Sequence, residues 1–374
     1  MKFISFWSVK VLSRTSLAFS ALTLRIRFLF KISSPISYIK TINLTNFHGA
    51  GDYLISTDAI REIQLQYPNS KINLYFSRKE AYELALLNTL NNGINLIYYK
   101  KNSKVLKCDL LINLSGPTPE LFKFINDCNP SRIIGYIFSF RVYDSNSYFL
   151  GKDKFIDNHF KRNLNPLKNL GIIEKRLEFS FLYNNVLPNP NADKVTLYFP
   201  QNKLNKSIKP ETCLDFVNLV RQKNPEAPIQ FILHEFDLDV FSEDQYLIRK
   251  LEDLNISFVK FSDWKDLIFL IKESSLVVCT DSVVFHLSNI FQVKNIGLFG
   301  ATNPEKYISD TFKGIIVNKN TSPNFCYHGT EFSSSFFKYS RTKKCKNCLQ
   351  GSRCSNMKLI KASDIFKAYE HAIK

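Results

Sequence analysis

Residues 276–304 read Leu-Val-Val-Cys-Thr-Asp-Ser-Val-Val-Phe-His-Leu-Ser-Asn-Ile-Phe-Gln-Val-Lys-Asn-Ile-Gly-Leu-Phe-Gly-Ala-Thr-Asn-Pro. An apolar run ends at Thr280-Asp281, a helical pattern begins at Ser282, and a second apolar run from Val293 to Phe299 stops at Gly300 and a polar loop. The pattern predicts strand, acidic turn, helix, strand and Gly loop. In open parallel sheets, ligands bind at the carboxyl ends of strands and beside helix N-termini. The stretch therefore offers an anion site with a carboxylate beside it. Such a site suits a molecule that joins a phosphate to a polyol, and a nucleotide-sugar is the first candidate.

The same alternation runs outward in both directions. Towards the N-terminus, strands are predicted at 39–44, 72–76, 94–98, 110–114 and 133–137, with helices at 54–67 and 79–90 and another opened by Ser115-Gly116-Pro117. The pattern blurs from Ser139 to Asp193, where Pro166, Pro188 and Pro190 fall among Asn-rich stretches. A second alternation follows, with strands at 195–199, 229–234 and 256–259, helices at 210–222, 241–254 and 264–272, and an edge strand at 315–317. A closing helix over 363–373 takes Ser363 as N-cap and Asp364 in its first turn. Strands alternating with helices imply parallel sheets covered by helices. The 374 residues suffice for two such domains. The expected organisation is a basic extension over 1–38, a first domain with linker over 39–190 and a second domain over 191–374. No internal repeat is apparent.

Composition narrows the partners. Lys and Arg number 50 against 33 Asp and Glu, a net charge of +17. This favours an acidic partner such as an anionic membrane surface or a phosphorylated substrate. Nucleic acid is not expected, because no nucleic-acid motif is present. Residues 1–40 hold Lys2, Lys10, Arg14, Arg25, Arg27, Lys31 and Lys40, no acid, and interleaved large apolar residues. They read as an interfacial amphipathic segment for an anionic inner leaflet, or as a helix packed on the protein's own surface. No apolar run reaches the roughly 18–20 residues of a membrane span.

Three constellations carry chemistry. Gly49-Ala50-Gly51-Asp52 lies at a strand-to-helix junction, where glycines Gly49 and Gly51 admit a ligand to the backbone. The charge of Asp52 is favoured there, and the carboxylate could serve as a general base for an acceptor hydroxyl. A helix-capping Asp is the structural alternative. The loop before Pro210 holds Lys203, Lys206 and Lys209, with Lys206 the middle candidate for a diphosphate. In the opening stretch, Asp281 can accept from sugar hydroxyls, while the amides of Ser282, Val283 and Val284 face a phosphate. His286 lies inside the helix and reads as structural. Cys345-x-x-Cys348 with Cys354 and Cys326 has the spacing of a structural zinc site. Cys108, Cys128, Cys213 and Cys279 read as lone buried thiols in a reducing compartment.

In this order and at these separations, the segments resemble glycosyltransferase family 9, the lipopolysaccharide heptosyltransferase-like enzymes. The family's Gly-Asp helix start corresponds to Gly51-Asp52, followed by Pro68, and its Lys loop to Lys206 and Pro210. Its Asp-Thr-Gly-x-x-His-Leu-Ala motif corresponds to Asp281–Ser288, and its Leu-Phe-Gly-x-Thr-x-Pro loop to Leu298–Pro304. The resemblance implies a GT-B fold, two Rossmann-like doubly wound domains facing a cleft, and inverting transfer without a catalytic metal or other cofactor. A heptose or related sugar would pass from an ADP-heptose-like donor to a phosphorylated, lipid-linked saccharide such as lipopolysaccharide core. The enzyme would sit peripherally on the cytoplasmic face of the inner membrane. Carried over, Asp52 is the base, Lys206 a donor-phosphate contact, Asp281 to Val284 the sugar-phosphate site, and Gly300 and Thr302 its rim. The chain departs from the pattern at Val283, where the family has Gly, at Phe285 and Ser288, and at Ile208, nearest the family's Trp. An epimerase or hydrolase acting on nucleotide-sugars, or a degenerate saccharide-binding member, would share the fold.

Overall fold

The computed structural model describes residues 39–100, 103–116, 118–136, 143–144, 159–172, 179–183, 188–199, 206–234, 245–300, 302–319 and 354–374. The chain divides into two units, the first ending at Leu182 and the second beginning at Tyr183.

The first unit is built on a six-stranded sheet. Its strands are β1 (Thr41–Asn46), β2 (Lys71–Phe76), β3 (Ile94–Tyr98), β4 (Leu110–Asn113), β5 (Arg132–Gly135) and β6 (Tyr143–Asp144). The order is β3-β2-β1-β4-β5-β6. All neighbours pair in parallel except β6, an antiparallel edge held by a bidentate Arg132–Asp144 pair at 3.0 and 2.6 Å. The helices are α1 (Ala50–Gln66), α2 (Lys79–Leu87), α3 (Pro119–Cys128) and the short α4 (His159–Leu164). Helix α3 starts at Pro119 with Thr118 as its cap, since the Thr118 hydroxyl accepts from the Leu121 amide at 3.2 Å. Pro117 lies outside the described residues.

A short repeat emerges from this sheet. Ile-Asn-Leu recurs at 42–44, 72–74, 94–96 and 112–114, once on each of four strands. Asn43, Asn73 and Asn95 stand in register. Asn95 Nδ2 donates to Asn73 Oδ1 at 3.0 Å, and Asn73 Nδ2 donates to Asn43 Oδ1 at 2.8 Å. The fourth copy is displaced by two residues, so that Asn113 faces Thr45 and accepts from its hydroxyl at 2.7 Å. A displacement of two keeps the side chain on the same face. The amide ladder thus fixes register inside an otherwise apolar sheet.

The second unit has the same plan. Strands β7 (Lys194–Tyr198), β8 (Ile229–His234), β9 (Ser257–Phe261), β10 (Ser274–Thr280), β11 (Lys294–Phe299) and β12 (Ile315–Asn318) form an all-parallel sheet of order β12-β11-β10-β7-β8-β9. Its helices are α5 (Pro210–Lys223), α6 (Gln245–Asp253), α7 (Trp264–Lys272), α8 (Val283–Ile290), α9 (Ser355–Leu359) and α10 (Ala362–Ala372). Phe216, Leu197, Val278, Ile296, Met357 and Tyr369 lie in one buried cluster, so α9 and α10 close the core of this unit. Helix α10 is capped at Lys361 rather than at Ser363. The Asp364 carboxylate reaches back to the Lys361 amide at 3.0 Å, which leaves the Ser363 hydroxyl no capping task.

Candidate functional site

Both sheets reverse direction between two neighbouring strands. In the second unit β8 and β9 continue outward from β7, while β10 returns beside β7 and leads away to β11 and β12. The loops that leave β7 and β10 therefore part at their carboxyl ends, which opens the crevice where such sheets take ligands. Lys206 follows β7, and Asp281 is the first residue after β10. Their side chains meet: Lys206 Nζ lies 2.7 Å from Asp281 Oδ2. The Thr302 hydroxyl, from the loop after β11, donates to the same oxygen at 2.7 Å. Burial pushes the Asp281 carboxyl up, but Lys206, Thr302 and the nearby His286 outweigh it and hold it below the usual carboxylate range. His286 thus belongs to the electrostatic surroundings of Asp281, although five residues separate them.

Ser282 is the N-cap of α8 in extended backbone, and its side chain makes no capping bond. The Ser282 hydroxyl and the neighbouring Thr280 hydroxyl are buried and bond to no described residue. The first-turn amides of a helix have no partner within it. Polar capacity is therefore concentrated where β10 gives way to α8. Val283 is the first residue of α8 and is not among the residues with positive φ, so it enters the helix without backbone strain. Val284 is buried, which leaves its amide rather than its side chain for a ligand.

The other departures from the family pattern are accommodated in the core. Phe285 is fully buried and meets Phe299 edge-on at 5.2 Å. A Cβ on Gly297 would come within 2.7 Å of the Phe285 ring, so Gly297 makes the room that Phe285 fills. The Ser288 hydroxyl bonds back to the Val284 carbonyl at 2.7 Å. Ile208 is buried in the core of the unit. Gly300 packs beneath α9: a Cβ there would lie 2.6 Å from Met357 Cγ, and Asn356 Nδ2 donates to its carbonyl at 3.1 Å. Close packing is reason enough for glycine at 300.

In the first unit the reversal falls between β1 and β4. Gly49 is the N-cap of α1, Gly51 the second residue of the helix and Asp52 the third. Asp52 is therefore a first-turn carboxylate and not the cap. It is partly exposed and makes no hydrogen bond or ion pair with a described residue. Gly49 has ordinary backbone, φ −77°, and nothing within 4 Å of a notional Cβ. Among the described residues no atom would crowd a side chain there, so a ligand approaching the helix end could make use of the space.

The turn is firmly held. The Phe47 amide donates to Ser115 Oγ at 3.2 Å, and the Gly116 amide donates to His48 Nε2 at 2.9 Å, which joins the loops of β1 and β4. Tyr53, next to Asp52, is buried, and its phenol accepts from Asn88 and Asn91 at 3.1 and 2.9 Å. Burial pushes the Tyr53 phenol up to about 12, against the opposing pull of the two amides. The sequence pattern does not single out His48. Its signal is position, in the same turn as Asp52.

Of the proposed zinc ligands, Cys326, Cys345 and Cys348 lie outside the described residues. Cys354 is a buried free thiol in the core of the second unit. Among the described residues, no group of three or more His, Cys, Asp or Glu could hold a metal ion. Cys213 and Cys279 are buried thiols. Cys108 and Cys128 are buried too, but they are not isolated: their sulfurs lie 3.1 Å apart, and Asn43 Nδ2 donates to Cys128 Sγ at 3.2 Å. The helix-strand crossover brings together two thiols that the sequence separates.

Residues 262–331, which include β10, α8 and β11, match glycosyltransferase family 9 (heptosyltransferase). No curated protein sequence matches the chain. Solved structures share the fold at low identity. The family 9 glycosyl transferase from Veillonella parvula is 13% identical with a TM-score of 0.61, covering 91% of this chain and 99% of its own. The E. coli ADP-heptose lps heptosyltransferase II is 10% identical with a TM-score of 0.58, covering 89% and 98%. The E. coli heptosyltransferase WaaC, solved with ADP, is 11% identical with a TM-score of 0.56, covering 88% and 97%. Residues 262–331 thus carry a sequence match to family 9, and the two units share the GT-B fold of these glycosyltransferases.

Proposed function

We propose that the enzyme transfers a heptose or related sugar from a nucleotide-activated, ADP-heptose-like donor to a phosphorylated, lipid-linked saccharide, with inversion at the anomeric carbon. The observation that carries the donor half is the meeting of Lys206, Asp281 and Thr302 at the reversal point of the second sheet, beside the N-cap of α8. A cation next to a helix N-terminus supplies what a leaving diphosphate requires. The hydroxyls of Thr280 and Ser282 add unspent hydrogen-bonding capacity at the same strand end.

Asp52 is the base in this scheme. The acceptor hydroxyl attacks the anomeric carbon, the new C–O bond forms as the bond to the diphosphate breaks, and the hydroxyl proton passes to Asp52. A single displacement inverts the centre. Lys206 and the first-turn amides of α8 take up the charge that develops on the diphosphate, so positive charge from the chain fills the place a catalytic metal holds elsewhere. Peripheral docking on an anionic inner leaflet fits the net charge of +17. No helix among the described residues is long and apolar enough to cross a membrane.

The test is incubation of the purified enzyme with ADP-heptose and a truncated lipopolysaccharide core, with and without a chelator. A product heavier by one heptose, formed equally in both, supports the proposal. Release of free sugar without acceptor would point to a hydrolase instead. Loss of transfer with the chelator would reject metal independence.

A further inference from the structure

One carboxylate oxygen organises three strand ends. Asp281 Oδ2 takes both Lys206 Nζ and Thr302 Oγ1, each at 2.7 Å, and no described residue donates to Oδ1. The three residues follow β7, β10 and β11, with β10 lying between the other two strands. Exposure separates their roles. The Asp281 side chain is 7% exposed and that of Lys206 is 28% exposed. The Lys206 side chain is thus the more accessible member of the pair, and the Asp281 side chain the more buried. A hydroxyl carries a single proton, and Thr302 spends its own on Asp281. Thr302 is itself buried, so it acts inside the group rather than at its surface.

A lysine ammonium is a compact charge on a flexible stem, and it needs an external anchor to hold one position. We propose that Asp281 and Thr302 are positioning residues: Asp281 holds the Lys206 ammonium for the donor diphosphate beside α8, and Thr302 holds Asp281. Asp281 then acts through Lys206 and not on the hydroxyls of the sugar. The inference rests on the donor-site assignment above and sharpens it, because it predicts that the whole group serves the nucleotide end of the donor.

Calorimetric titration of the full chain with ADP, GDP, UDP and CDP tests it. The variants are Lys206→Ala, Thr302→Val, Thr302→Ser, Asp281→Asn and the Lys206→Ala/Thr302→Val double variant, each checked by thermal unfolding. Wild type is expected to bind at least one diphosphate. Lys206→Ala should weaken that binding roughly tenfold or more, as for loss of a charge-assisted contact. Thr302→Val should weaken it about three- to tenfold, Thr302→Ser should restore it, and Thr302→Val should add nothing once Lys206 is gone, the signature of coupled residues. Asp281→Asn should weaken binding of the plain diphosphate as well.

Wild-type affinity in Thr302→Val, or a Thr302→Val effect that persists in full without Lys206, overturns the positioning role. So does an Asp281→Asn variant that loses affinity for a nucleotide-sugar but not for the diphosphate. If Thr302→Val fails to fold, the Thr302→Ser and Asp281→Asn arms still decide: wild-type diphosphate affinity in Asp281→Asn rejects the role, and its loss with Thr302→Ser intact supports it. If wild type binds none of the four diphosphates, the donor-site assignment itself fails, and the inference with it.

Discussion

At the scale of single residues, the two glycines beside the site make opposite predictions. Gly49 has ordinary backbone and empty space where a side chain would go. Gly49→Ala should lower the thermal midpoint only slightly, by the N-cap preference for Gly over Ala, while raising the KM for acceptor. Gly300 lies against Met357, so Gly300→Ala should cost about 1–3 kcal/mol of stability through overpacking, read by urea unfolding. Asp52 has no partner among the described residues. Asp52→Asn should therefore retain the fold and lose roughly 10²–10⁴-fold in kcat, the usual range for a general base; normal turnover in a folded variant would remove Asp52 from the mechanism. Asp281 makes a pH prediction. Its carboxyl is held below the usual range, so it stabilises the fold above the unfolded-state pKa, and that contribution is lost as pH falls through the depressed folded value. The stability gap between wild type and Asp281→Asn should be steady near neutrality and close below about pH 4, near the ordinary Asp pKa. A gap that widens on acidification would contradict the ion pair. The residues around Asp281 were partly legible in the sequence, because a strand ending in Thr-Asp before a helix is a local pattern. The contacts of Asp281 with Lys206 and Thr302 were not, because a hydrogen bond between loops of three strands depends on strand order, which local periodicity does not encode.

At the scale of elements, the strands and most helices follow from hydrophobic periodicity, and helix starts are where prediction slips. Helix α1 begins at Ala50, ahead of its first strongly periodic residue, Leu54, because the Gly-rich turn is itself helical from Ala50 onward. Helix α3 begins at Pro119 because Thr118 can cap it. At α3 the boundary is decided by a capping bond and not by the apolar pattern, whereas the N-cap of α1, Gly49, makes no side-chain bond. The Ile-Asn-Leu recurrence shows a different limit. Three letters are too few to stand out as a repeat, yet in the sheet they become a chain of amide bonds across β1, β2 and β3. Asn73 is the middle link, since it donates to Asn43 and accepts from Asn95. Asn73→Ala should leave Asn43 Oδ1 buried without that donor, at a cost of about 1–3 kcal/mol. Asn95 is exposed, and Asn95→Ala should cost less, because water can replace it. Equal losses for the two variants in urea unfolding would mean that the ladder does not set register from its buried end.

At the scale of the whole molecule, the two units repeat one design: a doubly wound sheet with a polar cluster where the strand order reverses. The first carries a carboxylate at a helix start with no partner among the described residues, and the second a lysine held by a carboxylate. In the proposed scheme one device removes a proton and the other binds an anion, a division of labour that rests on side-chain chemistry on a shared scaffold. Charge sets the remaining expectation. Residues 1–38 contribute Lys2, Lys10, Arg14, Arg25, Arg27 and Lys31, with no acid to offset them. Each basic residue near an anionic bilayer is worth about 1 kcal/mol, and the attraction dies within a Debye length. That length is about 8 Å at 0.15 M salt and about 3 Å at 1 M. The full chain should therefore sediment with vesicles containing anionic phospholipid at low salt and be released as salt approaches about 1 M, where screening is strongest. Neutral phosphatidylcholine vesicles should not retain it. Deletion of residues 1–38 should cut binding to the anionic vesicles at least about tenfold, since six cations leave together. If the shortened chain binds as tightly as the full one, the basic extension is not the membrane contact, and the attraction must be sought among the lysines of the two sheets.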